Sequence, residues 1–388
     1  MTNYKDKSMI HVLYIYSEIS IKGGTDKVLT EKANYLATHG YRVTILTETQ
    51  MGRPLSFELV SEVRHVDLGL DFNKQYTQNP WRRLITYVTL MRQYKKRLAP
   101  LLAELHPDIT ITTMGRSLSL LPQMKDGSVK IGEAHTTKKH LRSLHLMEQR
   151  GGLFRLLAKY MRWRMEKNAS ELSGMVLLTQ KDAEEWTHIT KTFVIPNPIS
   201  FYPSESAALN NKQAIMVGRY NDAKGYDYLI PAWDMVHQRH PDWTLHVYGS
   251  GELHDDVERW IKERKLDDTI IMHEPVDNIQ DKYLESSVCV LSSRYEGFSL
   301  VILEAMSCGV PVVSFDCPYG PRYIISDGNG LLVDYLNSQA LADGICRLIE
   351  DEALRKRIGA NARTSVLRFS KDIVMQQWEK LFDSLARQ

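Results

Sequence analysis

Ser293-Arg294-Tyr295-Glu296-Gly297-Phe298-Ser299-Leu300-Val301-Ile302-Leu303-Glu304-Ala305-Met306 is the stretch whose reading decides the fold. Just before it, Val288-Cys289-Val290-Leu291 is a short apolar run of the kind that fills a parallel strand buried on both faces. Gly297 breaks the run, and Ser299 stands where a helix N-cap stands. From Leu300 the apolar residues Leu300, Leu303, Ala305 and Met306 recur at helical spacing. Gly309-Val310-Pro311 ends that helix, and Val312-Val313-Ser314-Phe315 reads as the next strand. Strand, loop, helix and strand in this order make one repeat of an open α/β sheet.

Glu296 and Glu304 bracket the loop with seven residues between them. Glu296 falls at the mouth where ligands of open α/β sheets bind. Glu304 falls about one turn inside the helix. The free amides of the helix start, Phe298 to Val301, can receive an anion. An anion seat between two hydroxyl acceptors suits a diphosphate with a polyol on either side, which is the pattern of a nucleotide-sugar. An ordinary strand-loop-helix whose glutamates face water has the same local sequence, so the rest of the chain has to decide.

At 388 residues the chain is long enough for two domains. Its hydrophobic share of 43% and charged share of 25% are those of a globular protein. No apolar run approaches the roughly 20 residues of a membrane span. Met1 to Ser8 is polar and has no apolar h-region, so no secretory signal is expected. Cys289, Cys308, Cys317 and Cys346 form no CxxC or Cys/His metal pattern, which points to reduced thiols in the cytoplasm and to no bound metal.

The net charge of +2 hides an asymmetry. Residues 1–200 carry 29 Lys and Arg against 19 Asp and Glu, and residues 201–388 carry 20 against 28. A basic first half beside an acidic second half suggests two domains with different partners. No nucleic-acid-binding motif accompanies the basic half, so nucleic acid is not an expected partner.

Ile10 to Tyr16 reads as a strand followed by Lys22-Gly23-Gly24-Thr25, and a helix is expected from near Asp26, with Val28, Leu29, Ala33, Leu36 and Ala37 on its buried face. Tyr41 to Leu46 is the next strand, and this βαβ start predicts a parallel sheet with right-handed crossovers. The Gly23-Gly24 pair can approach a phosphate or an acceptor closely, or be a plain tight turn. Pro80 to Leu105 reads as a long basic helix, and Asp108 to Thr112 and Val129 to Gly132 as strands. Glu133-Ala134-His135 follows the last of these, which puts His135 where catalytic groups of parallel sheets stand.

Lys138 to Lys167 carries nine Lys and Arg against Glu148 and Glu166, interleaved with leucines and aromatics. A basic amphipathic helix of this kind can lie on an anionic membrane, or cover its own core with its cations in water. Phe193 to Ile199 is extended and holds Pro196 and Pro198. The first domain is expected over residues 1–199, a second over 200–365, and a C-terminal helix over 366–388.

The second domain restarts the alternation with a strand at Ala214 to Val217 and the loop Gly218-Arg219-Tyr220-Asn221-Asp222-Ala223-Lys224-Gly225. Helices are expected at Asp227 to His237, Glu258 to Lys265 and Asp281 to Glu285, and strands at Trp243 to Tyr248 and Ile270 to His273. Arg219 and Lys224 share one loop at a strand's carboxyl end. Two fixed cations there stabilise a departing diphosphate without a metal, the arginine as a bidentate donor and the lysine as a point charge. No nucleophile elbow, HExxH or Walker lysine motif is present, so transfer by positioning and electrostatics is the main enzymatic option.

These residues together resemble the retaining glycosyltransferases of family four, with the GT-B fold of two facing Rossmann-like domains and an interdomain cleft. The likeness rests on Gly23-Gly24, Glu133-Ala134-His135, Val217-Gly218-Arg219 with Lys224-Gly225, Gly249-Ser250-Gly251, the E-x7-E pair Glu296 and Glu304, Ala305 to Val313, and Gly320-Pro321. It implies that Gly24, Gly218, Gly249, Gly251, Gly297, Phe298 and Leu300 belong to the donor site, and that Arg219, Lys224 and the amides near Ser299 to Val301 hold the donor diphosphate. Glu304 would take the ribose hydroxyls, Pro275 and Val276 the base, Glu296 the sugar hydroxyls, and His135 would stand beside that sugar. Arg116 and His140 are candidates for the acceptor. The implied reaction needs no divalent metal or other cofactor and no protein nucleophile, and the final helix around Trp378 is expected to pack on the first domain.

Two positions depart from the family pattern: Thr25-Asp26-Lys27, where Ala-Glu-Arg is frequent, and Tyr323, where a glutamate is frequent. The Gly-Pro form at Gly320-Pro321 is similar to enzymes that transfer hexose or N-acetylhexosamine in bacterial surface-glycan assembly, lipopolysaccharide included. The expectation is therefore transfer from a UDP-sugar to a lipid-linked glycan, in the cytoplasm and against the inner face of the cytoplasmic membrane. The other readings are a GT-B sugar-nucleotide epimerase, against which the E-x7-E pair argues, and a catalytically silent GT-B protein that binds a glycan or partner.

Overall fold

Short β-branched runs separated by amphipathic helices can bury both sheet faces only by winding helices over a parallel sheet, and the chain does this twice. The computed structural model describes residues 9–20, 22–189, 191–326 and 328–386, so the polar Met1–Ser8 segment lies outside the described residues. The chain divides into two units: one runs to Ile195 and takes in the chain again from Met375, and the other spans Pro196–Val374.

The first unit holds β1 (His11–Tyr16), β2 (Arg42–Thr47), β3 (Val63–Asp67), β4 (Ile109–Thr112), β5 (Val129–Glu133), β6 (Gly174–Leu177) and β7 (Thr192–Val194). They form one parallel sheet in the order β3-β2-β1-β4-β5-β6-β7. The strand order reverses between β1 and β4, which opens a crevice at their carboxyl ends. The helix Gly24–Thr38 buries Val28, Leu29, Ala33 and Leu36, as its spacing predicts, and it buries Lys32 as well. It begins at Gly24 rather than near Asp26, because Gly23 already takes the N-cap position. Met375 to Ala386 of the last helix packs in this unit, with Trp378 and Phe382 buried and the Phe382 ring 5.9 Å from that of Tyr41.

The basic segment 138–167 is not one helix. A 3-10 turn (Lys138–Ser143) leads into two helices, Leu144–Gln149 and Gly152–Ser170. Arg142 and Ser143 have φ of 55° and 52°, left-handed values that interrupt helical winding. The turn is held because the Arg142 guanidinium donates to the carbonyls of Met114 and Gly115. Among the described residues no helix is long and apolar enough to cross a membrane.

The second unit holds β8 (Gln213–Val217), β9 (Thr244–Tyr248), β10 (Ile270–His273), β11 (Val288–Leu291), β12 (Val312–Phe315) and β13 (Leu331–Val333). Its parallel sheet runs β10-β9-β8-β11-β12-β13. The reversal here lies between β8 and β11, so the loops after these two strands share one crevice mouth. Both units are Rossmann-like α/β sheets, as the alternation of runs predicts. The core of the second unit packs Trp233, Tyr226, Ile230 and Leu245 on one side and Leu341, Ile345 and Phe315 with them. Helix boundaries shift by a few residues from the expected ones: Tyr226–Arg239, His254–Glu263 and Ile279–Leu284.

Candidate active site

The loop after β8 and the loop after β11 meet at the switch point of the second unit. Lys224 Nζ donates to Glu296 Oε1 at 2.7 Å, and Ser293 Oγ donates to the same oxygen at 2.9 Å. Both charged side chains are more than four-fifths buried, so each needs the other until a ligand replaces it. Ser292 Oγ fixes the Lys224 carbonyl at 2.8 Å. Arg219, on the same loop, is exposed and makes no ion pair among the described residues. One cation is thus held in reserve by a carboxylate, and the other is open to an incoming anion.

Glycines let the backbones of this corner close up. A Cβ on Gly249 would lie 1.9 Å from the Gly218 carbonyl oxygen, and one on Gly251 would lie 2.5 Å from that of Tyr220. Gly225 has φ of 63°, and a Cβ there would lie 2.2 Å from the Ser292 carbonyl oxygen. Only glycine lets β8, β9 and the loop after β11 approach this closely. Gly320 packs against the backbone of Gly297 and Phe298, and its amide donates to the Glu296 carbonyl.

The helix Leu300–Ser307 starts at Ser299, as the spacing predicts. The Ser299 side chain does not cap it, however, and its buried hydroxyl has no hydrogen-bond partner. The first-turn amides at Leu300 and Val301 therefore have no side-chain cap competing for them. Glu304 lies inside the helix, 8% exposed, with the Tyr283 hydroxyl 3.3 Å from Oε2. Burial and then the Glu304 charge push the Tyr283 phenol well up, so it stays a neutral donor. Pro275 and Val276 follow β10 and are exposed.

Arg294, in the loop after β11, is spent on structure. It makes a two-pronged bond to Asp227 at 2.9 and 2.6 Å and packs on Tyr228. The four cysteines are free and buried, and burial pushes the thiols of Cys289 and Cys317 up, away from the thiolate.

In the first unit Gly24 opens its helix after β1. His135 follows β5, its Nε2 3.3 Å from Glu133 Oε1. Arg116 follows β4, at the same switch point as Gly24. It pairs with buried Glu48 at 3.0 Å and lies over the Phe72 ring. Burial pushes the Glu48 carboxyl up against the pull of Arg116. His140 is bonded to Thr137 at 2.8 Å and pulled down to about 4, by burial first and then by His145, Lys139 and Arg162. It is therefore neutral near pH 7. Sequence reasoning passed over Ser293, Tyr283, Glu48 and Lys32; nothing local marks them, because each meets its partner only through the fold.

Comparison with known proteins places this corner in context. Residues 201–365 match the family model described as Glycosyl transferases group 1. The whole chain is similar to an uncharacterized glycosyltransferase of Haemophilus influenzae, at 26% identity over 94% of this chain and 98% of the other. It is also similar to the amylovoran biosynthesis glycosyltransferase AmsD of Erwinia amylovora, at 24% identity over 97% of this chain and all of the other. Among solved structures, a point mutant of S. aureus TarM, in complex with UDP, α-GlcNAc-glycerol and fondaparinux, superposes with a TM-score of 0.78 at 16% identity, over 97% of this chain and 100% of that one. The fold is that of the GT-B glycosyltransferases. Residues 201–365, which hold Lys224, Glu296 and Glu304, are a glycosyl transferases group 1 domain.

Proposed function

We propose that the protein is a retaining glycosyltransferase that moves a hexosyl or N-acetylhexosaminyl group from a UDP-sugar to a glycan, carried on a lipid, during assembly of a surface polysaccharide. The observation that carries this reading is the Lys224–Glu296 pair at the switch point, beside open Arg219 and the uncapped first turn of Leu300–Ser307. The likeness to AmsD supports the polysaccharide part, and the UDP complex of TarM supports the carrier.

In this account Arg219, Lys224 and the amides of Leu300 and Val301 hold the diphosphate, Glu304 holds the ribose and Glu296 the transferred sugar. Gly249 and Gly251 let the backbone of the phosphate-holding loops close up, and Gly218 lets the Lys224 side chain lie against it. The bond from the sugar carbon to the phosphate oxygen breaks, and a bond to the acceptor hydroxyl forms on the same face. The hydroxyl proton passes to the departing phosphate oxygen. Lys224 and Arg219 stabilise the charge that develops there, so no divalent metal or other cofactor is required. His135 serves the transfer step. The protein works in the cytoplasm, with peripheral contact to the anionic inner face of the membrane through the basic, aromatic helix Gly152–Ser170.

The test is transfer by Glu296→Gln. It should abolish product formation from UDP-sugar while the thermal melt stays cooperative. Full activity would show that Glu296 is not a site residue. An assay without acceptor excludes the epimerase, which needs none.

A further inference from the structure

Lys32 and Glu133 are 101 residues apart in sequence and meet inside the first unit. Lys32 projects from the helix Gly24–Thr38, and Glu133 ends β5. Their side chains are each 1% exposed and joined as an ion pair through Nζ and Oε1. The ammonium also lies 4.1 Å from the Trp378 ring and 5.4 Å from that of Tyr14. Burying two charges costs several kcal/mol per ion before their attraction is counted, and an apolar pair of the same volume usually holds a fold as well. Stability alone therefore gives no reason for this pair.

Its surroundings give one. Glu133 Oε1, the oxygen that Lys32 holds, is also the atom 3.3 Å from His135 Nε2. Around it, Glu133 Oε2, the Tyr14 hydroxyl and His135 Nδ1 are buried without a hydrogen-bond partner, and Nε2 meets Glu133 at ion-pair distance without hydrogen-bond geometry. Buried polar atoms are nearly always bonded, so a cluster of such atoms calls for an explanation that packing does not supply.

We propose that the Lys32–Glu133 pair is a positioning device for His135: lysine fixes the carboxylate, and the carboxylate holds the imidazole in one orientation and one tautomer. This rests on the reading of His135 as a residue of the transfer step. A proton on Nε2 faces Glu133, which leaves Nδ1 as the acceptor. Burial raises the Glu133 carboxyl, but Lys32 and then His135 more than offset it, so Glu133 stays ionised. For His135, burial lowers the pKa, Glu133 raises it and Lys32 lowers it, with the net shift downward. Tyr14, pushed well up by burial and then by Glu133, remains a neutral phenol.

The charges act on the ring in opposite senses, and this gives a readout that a packing role would not move. In protein labelled with nitrogen-15 at histidine, with His135→Gln to assign the signal, the His135 ring should show the Nε2–H tautomer. Lys32→Met should raise its pKa, and Glu133→Gln should lower it. Either single variant strands a buried charge and can unfold, so Lys32→Met/Glu133→Leu is the second arm. It removes both charges at similar volume, should fold, and should show mixed tautomers. In a UDP-release assay with UDP-glucose and UDP-N-acetylglucosamine, the same double variant should lose about 100-fold in kcat at unchanged donor KM. An unchanged tautomer and pKa in the double variant would overturn the proposal. Full activity of His135→Gln would instead overturn the role of His135 on which it rests.

Discussion

Lys224 and Glu296 lie 72 residues apart in sequence and 2.7 Å apart in the second unit, each the principal partner of the other. The pair keeps two largely buried charges satisfied. Lys224→Ala should therefore do two things. It should strip a cation from the diphosphate seat, weakening UDP binding more than tenfold. It should also strand Glu296 and lower stability by about 1–3 kcal/mol. Calorimetric titration and urea melts read the two effects separately; unchanged UDP affinity would contradict the role given to Lys224.

The close approach of β8 and β9 makes a steric prediction. Gly249→Ala places a methyl group 1.9 Å from the Gly218 carbonyl oxygen, so backbone must move at the proposed diphosphate seat. UDP binding should be lost, with a fall in melting temperature. Gly115→Ala, whose new methyl would come no closer than 3.9 Å to any neighbour, is the control and should melt within a degree or two of wild type.

Two groups of the first unit give the stability a pH signature. His140 is pulled down to about 4, and burial pushes the Asp182 carboxyl up to about 6. Between about pH 4 and 6.5 the unfolded chain binds the His140 proton and the folded chain does not, so His140 makes stability fall as pH falls. Between about pH 4 and 6 the folded chain keeps the Asp182 proton and the unfolded chain does not, so Asp182 makes stability fall as pH rises. The two slopes oppose one another. Asp182→Asn removes the second, and should give a higher melting temperature at pH 7 and a steeper loss on acidification below pH 6.5. A melting profile parallel to wild type would contradict this.

The helix Gly152–Ser170 exposes Leu153, Phe154, Leu156, Leu157, Tyr160 and Trp163. Arg155, Lys159, Arg164 and Lys167 are exposed on it too. Each cation near an anionic surface contributes about 1 kcal/mol. Changing all four to Gln should reduce co-sedimentation with phosphatidylglycerol vesicles by roughly 100-fold or more, at unchanged folding. Equal sedimentation of the two proteins would remove the membrane contact from the account.

Most strands were legible because a buried parallel strand leaves a short apolar run bounded by turn residues, as at Val288–Leu291. Glu296, Lys224 and the close-packed glycines were legible through their spacing on strand-ending loops. What was hidden depends on distant partners. The break at Arg142–Ser143 carries no glycine or asparagine to announce it, and is held by carbonyls of Met114 and Gly115. Lys32 reads as a surface lysine until β5 brings Glu133 to it. Ser299 occupies an N-cap position, but its hydroxyl does not serve the cap.

The central claim is a donor site in the second unit that takes a uridine diphosphate without a metal. The measurement that tests it most directly is the thermal shift of the purified protein with UDP, GDP, ADP and a set of UDP-sugars, all in EDTA. Ligand at 100 times its dissociation constant should stabilise the protein by about 2.7 kcal/mol. Such a shift is expected with UDP and with one or two UDP-sugars, and its loss in Lys224→Ala. No shift with any nucleotide would contradict the central claim.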